Sequence, residues 1–413
     1  MNSTGLPCLD PDSRGFIVLL GIATSMQALG TTMTIPALPA VAEGLRASVA
    51  EVQLTIGIYL AGVACGLVPA GALSDRFGRK PVLVGGTLLF CLFGLCAALS
   101  PNVDTLIASR FFQGACGATG MVIGRAMLRD LFEGPYAVRK MAVVGAIIAV
   151  MPMLAPLLGS IALTFLSWRG VYGVLAVISA GVALAMGLLI AESLKQADPG
   201  ATALPKIFRN GRRFFTNATC LAFSSIMMFT YIGIFVFMAM IPHVVTRSFG
   251  LPLWYAGPAL SLLGVASLLG HMISKRLAGR RSLRWILTAS LSLCLASGWI
   301  LLGLFRENPA DAVEISAIVL LMMTYSTGFG ITYSNATMAA LQPLPDMAGT
   351  ASALASGVQM IGGAFATWLA GRLFDGTPTV LGIFASASSL LAAVVFFSTI
   401  RRASPVSEAA RIS

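Results

Sequence analysis

Apolar runs of roughly 20 residues follow one another along this whole chain, and each is long enough to cross a ~30 Å hydrocarbon core as a helix. Twelve can be drawn, at about 15–36, 51–71, 81–99, 105–127, 139–162, 169–190, 216–241, 254–274, 284–304, 312–335, 349–371 and 379–400. The runs are continuous rather than alternating every second residue, which points to a helical bundle and away from an outer-membrane barrel. Composition agrees, with 57% hydrophobic and 10% charged residues, where soluble chains carry about 25% charged residues. The expected fold class is an all-α membrane protein with twelve transmembrane helices.

The net charge of +11 invites a nucleic-acid reading, but the positions of the charges reject it. With a cytoplasmic N-terminus, the 27 lysines and arginines fall on the cytoplasmic side, except Arg46, Arg169, Arg247, Arg306 and Arg372 outside and Arg110 within a helix. This is the positive-inside pattern, so the basic excess reports topology. It predicts a multi-pass protein of a bacterial-type inner membrane, its lipid bilayer the surrounding partner, with both termini cytoplasmic. The first residues lack a basic n-region and a small-residue cleavage site, so the first span is expected to be retained. The seven cysteines lie mostly within spans without CxxC pairs, as small apolar residues do, and no metal site or other cofactor is expected.

The longest polar interruption, Glu192–Phe215, splits the spans six and six. The expected organisation is an N-terminal six-helix bundle at 14–190, a cytoplasmic linker at 191–215, a C-terminal six-helix bundle at 216–402 and a tail at 403–413. The halves echo each other: Ser74-Asp-Arg-Phe-Gly-Arg-Lys80 matches Ser274-Lys-Arg-Leu-Ala-Gly-Arg-Arg281, and Pro36 has a counterpart in Pro242. A repeat of that length in a polytopic chain points to two pseudo-symmetric bundles rocking about a shared midplane site. Gly62/Gly66, Gly114/Gly117 and Gly120/Gly124 allow close helix packing, and such seams either hold a bundle together or slide.

The turn Gly71-Ala-Leu-Ser-Asp-Arg-Phe-Gly-Arg-Lys80 lies between two apolar runs and must sit at a membrane face. It resembles the loop 2–3 signature of the major facilitator superfamily. Leu106-Ile-Ala-Ser-Arg-Phe-Phe-Gln-Gly114 resembles that family's fourth-helix motif. Leu29-Gly-Thr-Thr-Met-Thr-Ile-Pro-Ala-Leu-Pro39 resembles the first-helix motif of its twelve-helix drug:proton antiporters. With Arg125-Ala-Met-Leu-Arg-Asp-Leu-Phe132 and Ala348-Gly-Thr-Ala-Ser-Ala-Leu354, the pattern is similar to the bicyclomycin/chloramphenicol-resistance branch. The resemblance implies proton-coupled efflux of small organic compounds, of the multidrug type, by a chain expected to act as a monomer.

The signature reads as a cytoplasmic gate latch. Gly71 and Gly78 permit close packing and a tight turn. Asp75 could face the positive N-terminus of the eleventh span near Gly349, and Arg129 and Asp130 could complete a charge cluster with Asp75 and Arg76. Arg79 and Lys80 belong to the same motif, and the competing reading is that all these charges only fix topology.

Arg110 lies inside the fourth span, where a cation is costly without partners or water, and Gln113 shares its face one turn on. Arg110 either donates to carbonyls of a neighbouring helix or shapes a proton path or anion site; the resemblance supports the second. None of the 16 acids falls near the middle of a span. Family relatives carry an aspartate in the first span where this chain has Thr32-Met-Thr-Ile-Pro36, leaving Glu51, Asp130 and His271 as weaker proton carriers. Pro152 and Pro156 predict a break in the fifth span. A central cavity is expected to draw on Gln27, Tyr59, Tyr231, Phe235, Tyr325 and Gln359, with Met26, Met151, Met227 and Met228 adding adaptable surface.

No P-loop occurs, and scattered acids with two histidines offer no convergent catalytic cluster. An enzyme is therefore not expected. The alternatives within transport are a dedicated exporter of one metabolite or siderophore, and an importer or uniporter without proton coupling.

Overall fold

Backbone N–H and C=O groups find no water in hydrocarbon, so an apolar run must satisfy them internally as a helix. The computed structural model describes residues 8–304 and 312–403, and among these there are helices and turns but no strand. The first six spans are α1 (Arg14–Thr32) with its short continuation α2 (Leu38–Leu45), then α3 (Val49–Phe77), α4 (Arg79–Ala98), α5 (Val103–Leu131), α6 (Gly134–Phe165) and α7 (Trp168–Leu189). A surface helix, α8 (Leu204–Thr216), precedes the second six. These are α9 (Ala218–His243), α10 (Ala256–Leu277), α11 (Leu283–Leu304), α12 (Ala312–Leu341), α13 (Ala348–Leu373) and α14 (Thr379–Ala403). Twelve segments are long and apolar enough to cross a membrane, as the apolar runs require. Arg306, the acids Glu307, Asp311 and Glu408, and the tail beyond Ala403 lie outside the described residues, as do the side chains of Glu314, Arg401 and Arg402.

Alternation of the spans defines two faces. One carries the start of α1, the α3–α4 turn and α8, and is called the linker face; the opposite one is the distal face. The halves repeat local irregularities at matching places. Gly78 ends α3 at φ +105° and Gly279 follows α10 at φ +77°, a region that glycine enters without a Cβ penalty. Pro36 sits in a tight 3₁₀ turn, and Pro242 is followed by a wide π turn at Val244–Ser248.

Small residues do different work within and between halves. A Cβ on Gly62 would strike the carbonyl of Phe111, and one on Gly114 would strike that of Tyr59, so α3 and α5 touch backbone to backbone. Both helices belong to the same half, so this seam packs within one bundle and not between the two. Between halves, a Cβ on Gly57 would lie 2.7 Å from the carbonyl oxygen of Ala364, and Gly371 meets Ala50 and Gln53. Gln53 Nε2 donates to the carbonyl of Ala239 at 2.8 Å. These contacts close the distal face.

The expected break at Pro152 and Pro156 is absent: α6 runs unbroken from Gly134 to Phe165 with both prolines inside it. Each proline removes one helix hydrogen bond, yet neighbouring groups can support the backbone in a bundle. Ser261 of α10 donates its Oγ to the carbonyl of Met153 at 2.7 Å, and Gly257 and Gly264 let α10 press onto this stretch.

Polarity alone marks the linker in sequence; the structure adds α8. Phe214 is its buried anchor, packed with Cys220, Leu344, Met347 and Ala351, and Arg213 pairs with Asp346 at 2.6 Å. Leu204, Phe208 and Phe215 stay exposed. The cysteines are free, and only Cys220 and Cys294 are buried, while Cys65 and Cys96 lie on the outer surface of the bundle.

Candidate functional site

On the linker face the halves part around a cavity of about 520 Å³. Leu67, Val68 and Asp75 of α3, Met121, Val122, Arg125 and Arg129 of α5, and the start of α13 form its walls, with Lys206, Ile207 and Asn210 of α8 alongside. Gly71 also lines it; a Cβ there would meet only Val122 at 3.5 Å, so this glycine is not needed for packing.

The charge cluster beside the cavity forms with a different arginine from the one expected. Arg79 is 8% exposed and bonds the carboxylate of Asp75, the Oγ of Ser74 at 2.7 Å and, through Nε, Asp130 at 2.9 Å. Arg76 turns away to the hydroxyl of Thr202 at 2.8 Å. The cause is local: α3 stays helical through Phe77, so the turn is Gly78 alone and residue 79, four after Asp75, takes the inward place. Glu192, unmarked by any motif, accepts from the backbone N–H groups of Arg79 and Lys80 at 2.9 and 3.1 Å and so caps the start of α4. A Cβ on Gly78 would collide with this carboxylate, which gives the motif glycine a second reason. Arg129 joins no ion pair among the described residues; its guanidinium lies across the cavity mouth beside Gly349.

Deeper and toward the distal face, Arg110 is fully buried. Its Nη1 donates to Oε1 of Gln113 at 2.7 Å, its Nη2 reaches the Oγ1 of Thr34 at 3.4 Å, and its guanidinium carbon stands 4.0 Å from the ring centre of Tyr59 and 5.6 Å from that of Tyr172. Aromatic faces and side-chain oxygens, rather than carbonyls of a neighbouring helix, hold this cation. The Nε of Arg110 and the Nε2 of Gln113 have no partner. Tyr59 extends the group by donating to the carbonyl of Gln27 at 2.9 Å. Arg110, Gln113 and Tyr59 thus form one group, which Gln27 joins through its backbone carbonyl while its side chain donates to Thr31 of the same helix at 3.2 Å.

In the other half, Tyr231 and Phe235 stack with centroids 4.9 Å apart, and a Cβ on Gly363 would touch both Tyr231 and Leu60 of the first half. Gln359 is buried with its Oε1 unpartnered. Tyr325 belongs elsewhere: its hydroxyl reaches the carbonyl of Thr230 and the Oγ of Ser388, both at 3.3 Å, inside the second half. None of these eight expected cavity residues lines the linker-face cavity, because the distal seal encloses that depth.

The weaker proton carriers are all engaged. Glu51 forms a capping box with Ser48, accepting from its N–H at 2.7 Å. Asp130 is held by Arg79, and the Nδ1 of His271 lies 2.7 Å from the carbonyl of Ser267. Sequence reading passed over His243, which is fully buried at the distal end of α9, with both ring nitrogens unpartnered and Phe374 6.3 Å away. A histidine closing an apolar run beside a proline was the available signal. Among the described residues, no group of three His, Cys, Asp or Glu could hold a metal ion.

Residues 20–367 match the model of the Major Facilitator Superfamily. The chain is similar to an uncharacterized MFS-type transporter, YdgK, of Bacillus subtilis, 26% identical over 92% of this chain and 94% of that one. It is also similar to the multidrug resistance protein MdtL of Escherichia fergusonii, 27% identical over 90% and 92%. Among solved structures, a bacterial homologue of the human lysosomal transporter Spinster, inward-facing and occupied, aligns with a TM-score of 0.73 at 15% identity over 95% of this chain and 98% of that one. A D-xylose–proton symporter aligns at 0.69 and 15% identity over 92% and 97%. These last two show likeness of fold. The chain is a multi-pass membrane transporter and not an enzyme, and it belongs to the Major Facilitator Superfamily.

Proposed function

We propose that this protein exports small organic compounds from the cytoplasm, exchanging them for protons by alternating access. One observation carries the reading: the two six-helix halves are sealed by backbone contacts on the distal face and parted around a cavity on the linker face. Opening one end and closing the other by rocking the halves exposes a shared path to each compartment in turn. The positive-inside distribution supports a cytoplasmic linker face, with both termini on that side of an inner membrane. The multidrug resistance name of the MdtL relative, at 27% identity, supports efflux. Arg110, Gln113, Tyr59 and Gln27 are the residues assigned to coupling and substrate passage, with Tyr231, Phe235 and Gln359 opposite them. The Asp75–Arg79–Asp130 cluster is assigned to the gate. The protein is taken to work as a monomer.

A dedicated exporter of one metabolite or siderophore is the second reading, favoured by the charged and polar side chains on the cavity wall, among them Arg125, Arg129, Asn210 and Ser352, since fixed polar groups are what select a single substrate. Reconstitution into proteoliposomes with an imposed pH step tests both. Proton-driven movement of several unrelated compounds supports the multidrug reading, and movement of one compound alone supports the second. Equal net substrate movement with and without a proton gradient overturns proton exchange.

A further inference from the structure

The linker-face cavity contains two guanidinium groups that no carboxylate answers. On its walls Asp75 is engaged by Arg79, which also holds Asp130. Lys206 is paired with Asp198 at 2.8 Å, and Asp346 with Arg213 at 2.6 Å. Arg125 and Arg129 remain. Arg125 donates its Nε to the carbonyl of Met121 in its own helix at 3.0 Å, and neither residue joins an ion pair among the described residues. Both stand on one side of α5, one turn apart, and both line the cavity.

The positive-inside pattern accounts for Arg129, exposed near the end of α5, but not for Arg125. That pattern concerns cations at loops and headgroups. Arg125 sits about 9 Å inside the linker-face end of α5 at 1.5 Å per residue, and it points between the halves. The cavity wall carries apolar residues, among them Leu67, Met121, Val122 and Met347, beside polar ones such as Ser352 and Ser356, and Asp75 and Asp346 on that wall are already paired with Arg79 and Arg213. An anion with an apolar body would supply the missing charge to the guanidinium forks and cover the apolar wall at once.

We propose that this cavity takes an amphiphilic organic anion: one carboxylate, sulfonate or phosphate group on an apolar body of a few rings. A volume of about 520 Å³ suits a molecule of that size. The proposal rests on the transporter reading and names its substrate class.

A matched pair of probes tests it: 8-anilinonaphthalene-1-sulfonate, and N-phenyl-1-naphthylamine, which has the same rings without the charge. Binding is read in nanodiscs of phosphatidylcholine against empty discs. The native protein should prefer the sulfonate by roughly tenfold, the worth of one charge-assisted contact. R125Q/R129Q should lose that preference, and R125K/R129K, which keeps both charges, should regain part of it and shows that the fold tolerates change there. Equal affinity of the native protein for the two probes, or an undiminished preference in R125Q/R129Q, overturns the proposal. Proton-driven movement of the neutral probe in proteoliposomes is a separate reading. It can succeed while the anion preference fails, and its failure bears on transport alone.

Discussion

The two ends of α5 treat the same side chain in opposite ways. Arg110, toward the distal face, is fully enclosed by Tyr59, Tyr172, Gln113 and Thr34. Arg125 and Arg129, toward the linker face, look into an open cavity with no aromatic face recorded over them. No carboxylate pairs with any of the three among the described residues. A cation kept from water needs induced and permanent dipoles built around it, whereas one at a cavity can be met by water or by what enters. The seals follow the same division. The distal closure joins the halves through close glycine contacts and the Gln53 donor, whereas the linker-face ion pairs lie within the first half or the linker, or tie the linker to the second half.

The distal contact is the place to break this contrast most severely. Gly371→Leu should drive a side chain into Ala50 and Gln53 and hold the distal face apart. Overpacking of this kind costs about 1–3 kcal/mol, enough to shift the two conformations by up to ~100-fold. Transport should collapse accordingly, and a cysteine at Ala50 should become reactive to an impermeant thiol reagent; unchanged labelling and flux would refute the seal. Next, Arg110→Ala should cut transport at least tenfold, since a desolvated cation–π contact is worth about 2 kcal/mol. Tyr59→Phe should retain most activity, and equal losses in Tyr59→Phe and Tyr59→Leu would show that the ring is not what holds the cation.

Asp75→Asn and Arg79→Gln should each slow turnover several-fold, while Arg76→Gln should stay within about twofold, the range of an exposed polar contact. A reversed order would restore Arg76 as the centre of the cluster. Gln53→Leu removes one hydrogen bond between halves, worth about 1 kcal/mol, and should shift the open-to-closed ratio about fivefold in the same labelling assay. The smallest effect belongs to Asp198 at the exposed linker, whose carboxyl is held below its usual value first by the hydrogen bond from Lys206 and then by the N–H of Gly200. A depressed acid stabilises above its unfolded value and loses that contribution as pH falls through the lowered one. Near neutrality that contribution is fully present, but an exposed pair is worth little, so Asp198→Asn should lower flux by no more than about twofold there and by less at low pH; a large loss would mean the linker pair governs the gate.

The helices were readable in sequence because hydrocarbon allows one backbone solution, and hydropathy alone marks where it applies. The pairing of Arg110 with Gln113 was readable from helical spacing. The exchange of Arg79 for Arg76 was not, because it depends on α3 remaining helical up to a single glycine, a boundary that polarity does not locate. The continuity of α6 through two prolines was hidden for a related reason: the contact from Ser261 comes from a helix about 100 residues later. Tyr325 looked like a cavity residue by type, and which side of α12 faces the other half is a tertiary outcome. Glu192 carries no motif, and its backbone cap singles it out only in three dimensions; His243 had only its place beside Pro242 at the end of an apolar run to mark it.

The segment joining the halves is fastened at both ends. The N–H of Asp198 donates to the carbonyl of Asp75 at 2.9 Å, and Arg213 grips Asp346 beside the start of α13. Between these anchors α8 lies against the mouth with Phe214 as its pin. Such a bridle of set length should limit how far the mouth gapes while both anchors hold, and would leave cargo to pass beside it.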